Sequence, residues 1–112
     1  MSRRAELHVR QLAYRAIREQ SAYYASRESQ ALADRWEQTA NASLKSLQAF
    51  PERGAPCRLE AQVLKDLRRI GIPRFPYSIF YRYSSRRNRV EVLHVLHDSR
   101  DSEPLLREAL IQ

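Results

Sequence analysis

The chain has 112 residues, 20 Lys+Arg against 13 Asp+Glu for a net charge of +7, one cysteine and two glycines. That length makes one domain, residues 1–112, with room for one core but none for an enclosed cofactor cavity, and so few glycines exclude the Gly-rich phosphate loops of nucleotide-binding proteins. A lone Cys57 excludes an internal disulfide framework and fits a reduced thiol in a cytoplasmic protein; no apolar stretch follows Arg3-Arg4 to make a signal peptide, and none is long enough to span a membrane.

Glu6 to Gln11 reads either as a short strand or as the first turns of a helix. Leu12, Ala13, Ala16, Ile17 and then Tyr23 or Tyr24 repeat at helical spacing, which predicts an amphipathic helix over roughly 12–25. A second helix follows from Leu32, Trp36, Ala40, Leu44 and Leu47, which form one continuous apolar stripe. Ser29 is its expected N-cap, and Phe50-Pro51 ends it, because the residue before proline is pushed out of helical geometry. The short link around Ser26-Arg27-Glu28 makes the two helices an antiparallel hairpin.

Pro51 to Leu59 is a loop by composition, and Glu60 to Lys65 reads either as a helical turn or as the lead into a strand. Leu67 to Ile72 reads as a strand closed by Pro73. Two further strands, Phe75–Tyr83 and Arg89–His97, flank the basic turn Ser84-Ser85-Arg86-Arg87-Asn88 and form an antiparallel hairpin. In the first, Tyr77, Ile79, Tyr81 and Tyr83 share one face; Pro76 implies an edge or a bulge at its start. In the second, strict alternation sets Val90, Val92, His94 and Leu96 against Glu91, Leu93, Val95 and His97, apolar on both sides, as in a central strand. Glu103 to Ile111, capped by Ser102, makes a short terminal helix. The fold class is therefore α+β: an N-terminal strand and a helical hairpin on a small, mostly antiparallel sheet, ending in a short helix.

Charge is concentrated. Between Lys65 and Arg89 lie Lys65, Arg68, Arg69, Arg74, Arg82, Arg86, Arg87 and Arg89 with Asp66 as the one anion, so this window carries +7 and the rest of the chain is neutral overall. A basic patch on one sheet edge suits an anionic partner, and arginine favours planar contact with carboxylate or phosphate. A solvated face is the plain alternative. The strand exit His97-Asp98-Ser99-Arg100-Asp101 places groups fit for binding or chemistry where a buried strand reaches solvent. His94 reads as a core histidine, and Arg100 and Asp101 as a local ion pair. Three histidines and one cysteine without clustered spacing give no metal site, and no cofactor is expected.

The stretches Glu6-Leu-His-Val-Arg10, Ala33-Asp-Arg-Trp36, Leu47-Gln-Ala-Phe-Pro-Glu-Arg-Gly54, Leu67-Arg-Arg69, Tyr77-Ser-Ile-Phe-Tyr-Arg82 and Val92 to Asp101, in that order, resemble the ParE/RelE superfamily of bacterial toxins. The resemblance implies the toxin of a type II toxin–antitoxin (plasmid-stabilisation) pair, restrained by an acidic, ParD-like antitoxin. It also implies one of two activities, poisoning of DNA gyrase without chemistry, or cleavage of mRNA on the ribosome. Ser78 stands where the cleaving branch carries arginine, and no Tyr or His follows His97, so the ParE-like reading is preferred. Under it no catalytic residue is assigned, and Arg68, Arg69, Arg74, Arg82, Arg86, Arg87, Arg89, His97 and Arg100 contact the target. A ribonuclease would instead use Arg82, His97 and Arg100. The antitoxin is expected on Tyr23, Tyr24, Trp36 and Tyr81. A third possibility is an inactive basic nucleic-acid-binding relic, against which stands the confinement of charge to one window.

Overall fold

The computed structural model describes residues 3–57 and 66–111, so the ambiguous Glu60–Lys65 stretch lies outside the described residues. Its elements are β1 (Glu6–Val9), α1 (Gln11–Arg27), α2 (Gln30–Ala49), β2 (Ala55–Pro56), β3 (Arg68–Gly71), β4 (Tyr77–Ser84), β5 (Arg89–His97) and α3 (Ser102–Ile111). The strands form one sheet in the order β1-β5-β4-β3-β2; β1 runs parallel to β5 and every other pairing is antiparallel. The α+β expectation holds, with a two-residue strand added inside the predicted loop: Ala55 and Pro56 pair with Arg69 and Arg68.

The helical hairpin forms as its apolar spacing dictates. Ser29 caps α2 by accepting the Leu32 N–H at 3.1 Å, and Trp36, Ala40, Leu44 and Leu47 are buried along one stripe with Ala33 and Ser43 beside it. α1 contributes Ala13, Ile17 and Ser21, four residues apart, to the seam. Two small residues there let the helices approach, and the Trp36 indole N–H reaches back to the Ile17 carbonyl at 2.9 Å. The hairpin lies on one sheet face with Ile70, Ile79, Tyr81, Val90, Val92 and Val95. The other face carries Leu67, Phe80, Leu93 and Leu96 beneath Leu106 of α3. β5 is thus covered on both sides, as its composition predicts. The Arg10 guanidinium donates to the Ala109 carbonyl at 2.9 Å and ties α3 to the β1–α1 junction.

Three local expectations are corrected. Phe80 pairs with His94 and Tyr81 with Val92, so Leu93 is an extra residue in β5, a β-bulge. The inserted residue reverses the alternation after it: Val95 joins Val90 and Val92 on the hairpin face, and Leu96 joins Leu93 on the other. His94, opposite Phe80, therefore leaves the face assigned to it by simple alternation, and His97, opposite Tyr77, moves to the hairpin side. Pro76 is not in a strand: β4 starts at Tyr77 and is internal, so no ladder donor is lost, and the Pro76 carbonyl accepts the Asp98 N–H at 2.8 Å. α3 begins at Ser102, one residue before the expected start, so Ser102 lies within the helix instead of capping it.

Two turns aim the sheet ends. Asn88 adopts φ 48° after Arg87, a left-handed conformation that asparagine tolerates. Its side chain accepts from the Tyr83 hydroxyl at 2.8 Å and donates to the Arg3 and Arg4 carbonyls at 3.3 Å, fastening the N-terminal segment. At the opposite end Pro73 and Arg74 turn the chain from β3 to β4, with Phe75 N–H to Ile72 O at 3.1 Å and Arg74 at φ 71°. Proline holds φ negative at the first corner, so positive φ at the second defines a type II turn, a position that favours glycine.

Candidate functional site

The end of the sheet that carries His97 brings polar, charged and aromatic side chains together. β5 leaves through a tight turn in which Arg100 N–H donates to the His97 carbonyl at 3.0 Å. Asp98 is fixed from two further directions. The Ser78 hydroxyl donates to its Oδ1 at 2.6 Å, and Arg69 Nη2 lies 3.6 Å from the same oxygen while its guanidinium sits 5.8 Å from the Phe80 ring centre. His97 Nδ1 accepts the Ser99 N–H at 3.0 Å, which in the neutral ring places the proton on Nε2. The imidazole then presents a donor.

His97 is the last ring of an aromatic chain that no sequence pattern announces. Tyr77 contacts it edge-on at 5.0 Å between centres; Trp36 lies 4.9 Å from Tyr77, Phe75 5.2 Å from Trp36, Tyr24 5.7 Å from Phe75, and Tyr23 6.2 Å from Tyr24. These separations are those of favourable edge-to-face and tilted pairs. The chain joins the C-terminal end of α1 to the exit of β5 and leaves Tyr23 53% exposed. Arg27 lies 6.0 Å from the Tyr23 ring centre. Burial, then the neighbouring Tyr24 and Tyr23, push the Tyr77 hydroxyl above its ordinary 10, with Arg100 opposing. At neutral pH Tyr77 is a proton donor and not a base. On the other sheet face, burial lowers the His94 imidazole below its ordinary 6.5, and Arg100 lowers it further.

The predicted basic edge is not one patch. Hairpin formation sends Arg74 to the His97 end and Arg86, Arg87 and Arg89 to the Asn88 end, because the window spans two reversals of chain direction. Several of its arginines are engaged structurally: Arg68 donates to the Glu52 and Gly54 carbonyls at 3.0 and 2.8 Å, Arg89 lies 3.9 Å from Glu6, and Arg82 pairs with Glu91 at 2.7 Å. Although burial works the other way, the Arg82 hydrogen bond and charge, with Arg10 nearby, hold the Glu91 carboxyl below its ordinary range.

Arg82 sits five residues along β4 from Tyr77, the partner of His97, which places it about 17 Å away at the strand rise. The trio Arg82, His97 and Arg100 is therefore not assembled. Arg100 and Asp101 form no ion pair with each other.

Trp36 and Tyr81 are both 0% exposed, which corrects their assignment to an antitoxin surface. Trp36 lies beneath the aromatic chain, and the Tyr81 hydroxyl accepts the buried Gly54 N–H at 2.9 Å. Tyr23 and half-buried Tyr24 keep accessible surface. The residues overlooked in the sequence are Phe75, which meets Trp36 and Tyr24, and Tyr77, whose meeting with His97 depends on register. Among the described residues no three His, Cys, Asp or Glu side chains form a group able to hold a metal ion, and no helix is long and apolar enough to cross a membrane.

Solved structures share this fold. The chain is similar to a protein of the chromosomal ParDE toxin–antitoxin system of P. aeruginosa, with TM-score 0.69 and 19% identity over 86% of this chain and 98% of that one. It is also similar to a chain of the RelBE2 toxin–antitoxin complex of Mycobacterium tuberculosis, with TM-score 0.60 and 18% identity over 87% and 94%. At such identities the likeness establishes the α+β fold alone. No curated protein sequence matches the chain. The family model described as the ParE toxin of the type II toxin-antitoxin system, parDE, matches residues 7–102, and the chain belongs to that family.

Proposed function

We propose that this toxin acts as a ParE-like poison of DNA gyrase, by binding and without chemistry of its own, and that an acidic antitoxin encoded beside it restrains it. The observation that carries the reading is Ser78. Where a phosphate-cleaving relative would present a cation, this chain has a hydroxyl that is 1% exposed and already committed to Asp98. No cation occupies that strand position, Arg82 lies on a distant part of β4, and Arg69 is spent on Asp98, so the strand itself supplies no guanidinium to an in-line phosphoryl transition state at His97.

A second reading, cleavage of mRNA on the ribosome, has one observation in its favour: Tyr77 lies against His97, with the Arg100 charge nearby. Supercoiling by purified gyrase in the presence of antitoxin-free protein separates the two. Loss of supercoiling with trapped double-strand breaks supports gyrase poisoning. Unimpaired gyrase together with mRNA cleavage on ribosomes, abolished in His97→Ala, overturns it.

A further inference from the structure

The corner Ile72-Pro73-Arg74-Phe75 is rigid and strained at the same residue. Ile72 is 2% exposed and Phe75 rests on Trp36 at 5.2 Å, so both shoulders of the turn are anchored in the core. Pro73 fixes one torsion, and Ile72 N–H to Tyr77 O at 2.8 Å closes the strands behind it. Between these anchors Arg74 is exposed and held at φ 71°, where a Cβ is disfavoured and glycine or asparagine would relieve the strain. No packing explains an arginine here. Arg74 has no hydrogen bond or ion pair among the described residues.

Its surroundings do explain it. The corner projects beside the aromatic chain, where Phe75 meets Tyr24 at 5.7 Å and Tyr23 carries Arg27 over its ring. Arg100 is exposed at the same sheet end. Arg27 and Arg100, like Arg74, form no ion pair among the described residues, while Asp98 is occupied by Ser78 and Arg69. Accessible tyrosine edges interleaved with guanidinium groups that hold no carboxylate match the composition of a protein–protein contact centre, and arginine forks suit carboxylates.

We propose that Arg74 is a specificity-determining contact, kept at the expense of stability, which receives carboxylates of an acidic partner segment whose apolar side chains lie on Tyr23, Tyr24 and Phe75. The partner is the antitoxin, so the inference rests on the reading given under Proposed function.

The test compares wild type with Arg74→Gly, Arg74→Asn and Arg74→Lys. Each is assayed for thermal unfolding and for binding, by calorimetry, to the purified product of the adjacent reading frame and separately to a labelled single-stranded oligonucleotide. The expected result is a rise in Tm on the order of 5 °C for Arg74→Gly with a loss of antitoxin affinity of about tenfold, Arg74→Asn following it. Arg74→Lys, still charged and still strained, keeps the wild-type Tm and loses less affinity. A higher Tm with unchanged antitoxin affinity overturns the proposal, as does an unchanged Tm in Arg74→Gly. Weakened oligonucleotide binding with intact antitoxin binding overturns it in favour of nucleic acid. Wild-type protein that does not bind the adjacent product at all overturns the partner reading and this inference together, and is recognised by the wild-type measurement alone.

Discussion

The Ser78 hydroxyl and the Asp98 carboxylate, 2.6 Å apart, hold the start of β4 against the exit of β5. Through that one bond a buried residue of β4 also fixes the turn that follows His97. Asp98 receives Arg69 as well, so it joins β3, β4 and the exit of β5.

Ser78→Ala should therefore lower stability by about 1–2 kcal/mol, the loss of a hydrogen bond to a charged, partly exposed acceptor. Denaturant unfolding measures it. The same variant should broaden the His97 ring resonances, because the exit turn loses one of its ties. An unchanged midpoint with unchanged His97 signals would show that the bond contributes nothing.

Gly54 is a stricter constraint. A Cβ built there would lie 2.5 Å from the Tyr81 hydroxyl and 3.0 Å from Ile70, both buried. Gly54→Ala must displace core side chains and should cost about 2–3 kcal/mol. Tyr81→Phe leaves the buried Gly54 N–H without a partner and should cost about 1–3 kcal/mol. Because both changes disturb one contact, the double variant should lose less than the sum of the two, which a double-mutant cycle reads directly.

Trp36 sits at the centre of the aromatic chain with its N–H bonded to Ile17. Trp36→Ala should destabilise by about 3–5 kcal/mol. Trp36→Phe keeps a ring in place and leaves the Ile17 carbonyl its bond within α1, and should cost less. Weaker partner binding by a Trp36 variant that unfolds would say nothing of a contact, so circular dichroism must accompany any binding assay.

His94 gives an acid-side sensitivity. Its folded pKa lies below the ordinary 6.5 because of burial and then Arg100, so the unfolded chain takes up the proton first as pH falls. Its contribution to stability is intact above pH 6.5 and is lost as pH falls from there towards the lowered folded value. His94→Gln should flatten the stability profile over that interval. A wild-type profile that is already flat below pH 6.5 would contradict the assignment.

Much of the molecule was legible in residue spacing. The stripe from Leu32 to Leu47 specified a helix, Ser29 its start, and the apolar faces of Arg89–His97 a strand covered on both sides, because periods of 3.6 and 2 are written locally. The ordered stretches from Glu6 to Asp101 pointed to the toxin family on their own, and the family match agrees. Spacing did not reveal where side chains meet. Leu93 bulges only because Phe80 pairs with His94 and Tyr81 with Val92, and that single inserted residue decides that His97, and not Leu96, lies opposite Tyr77. Likewise the charge window, continuous in sequence, is divided between two sheet ends by the turns at Arg74 and Asn88. Pairing register and turn direction arise from contacts between segments far apart in the chain, so only the tertiary structure could decide them.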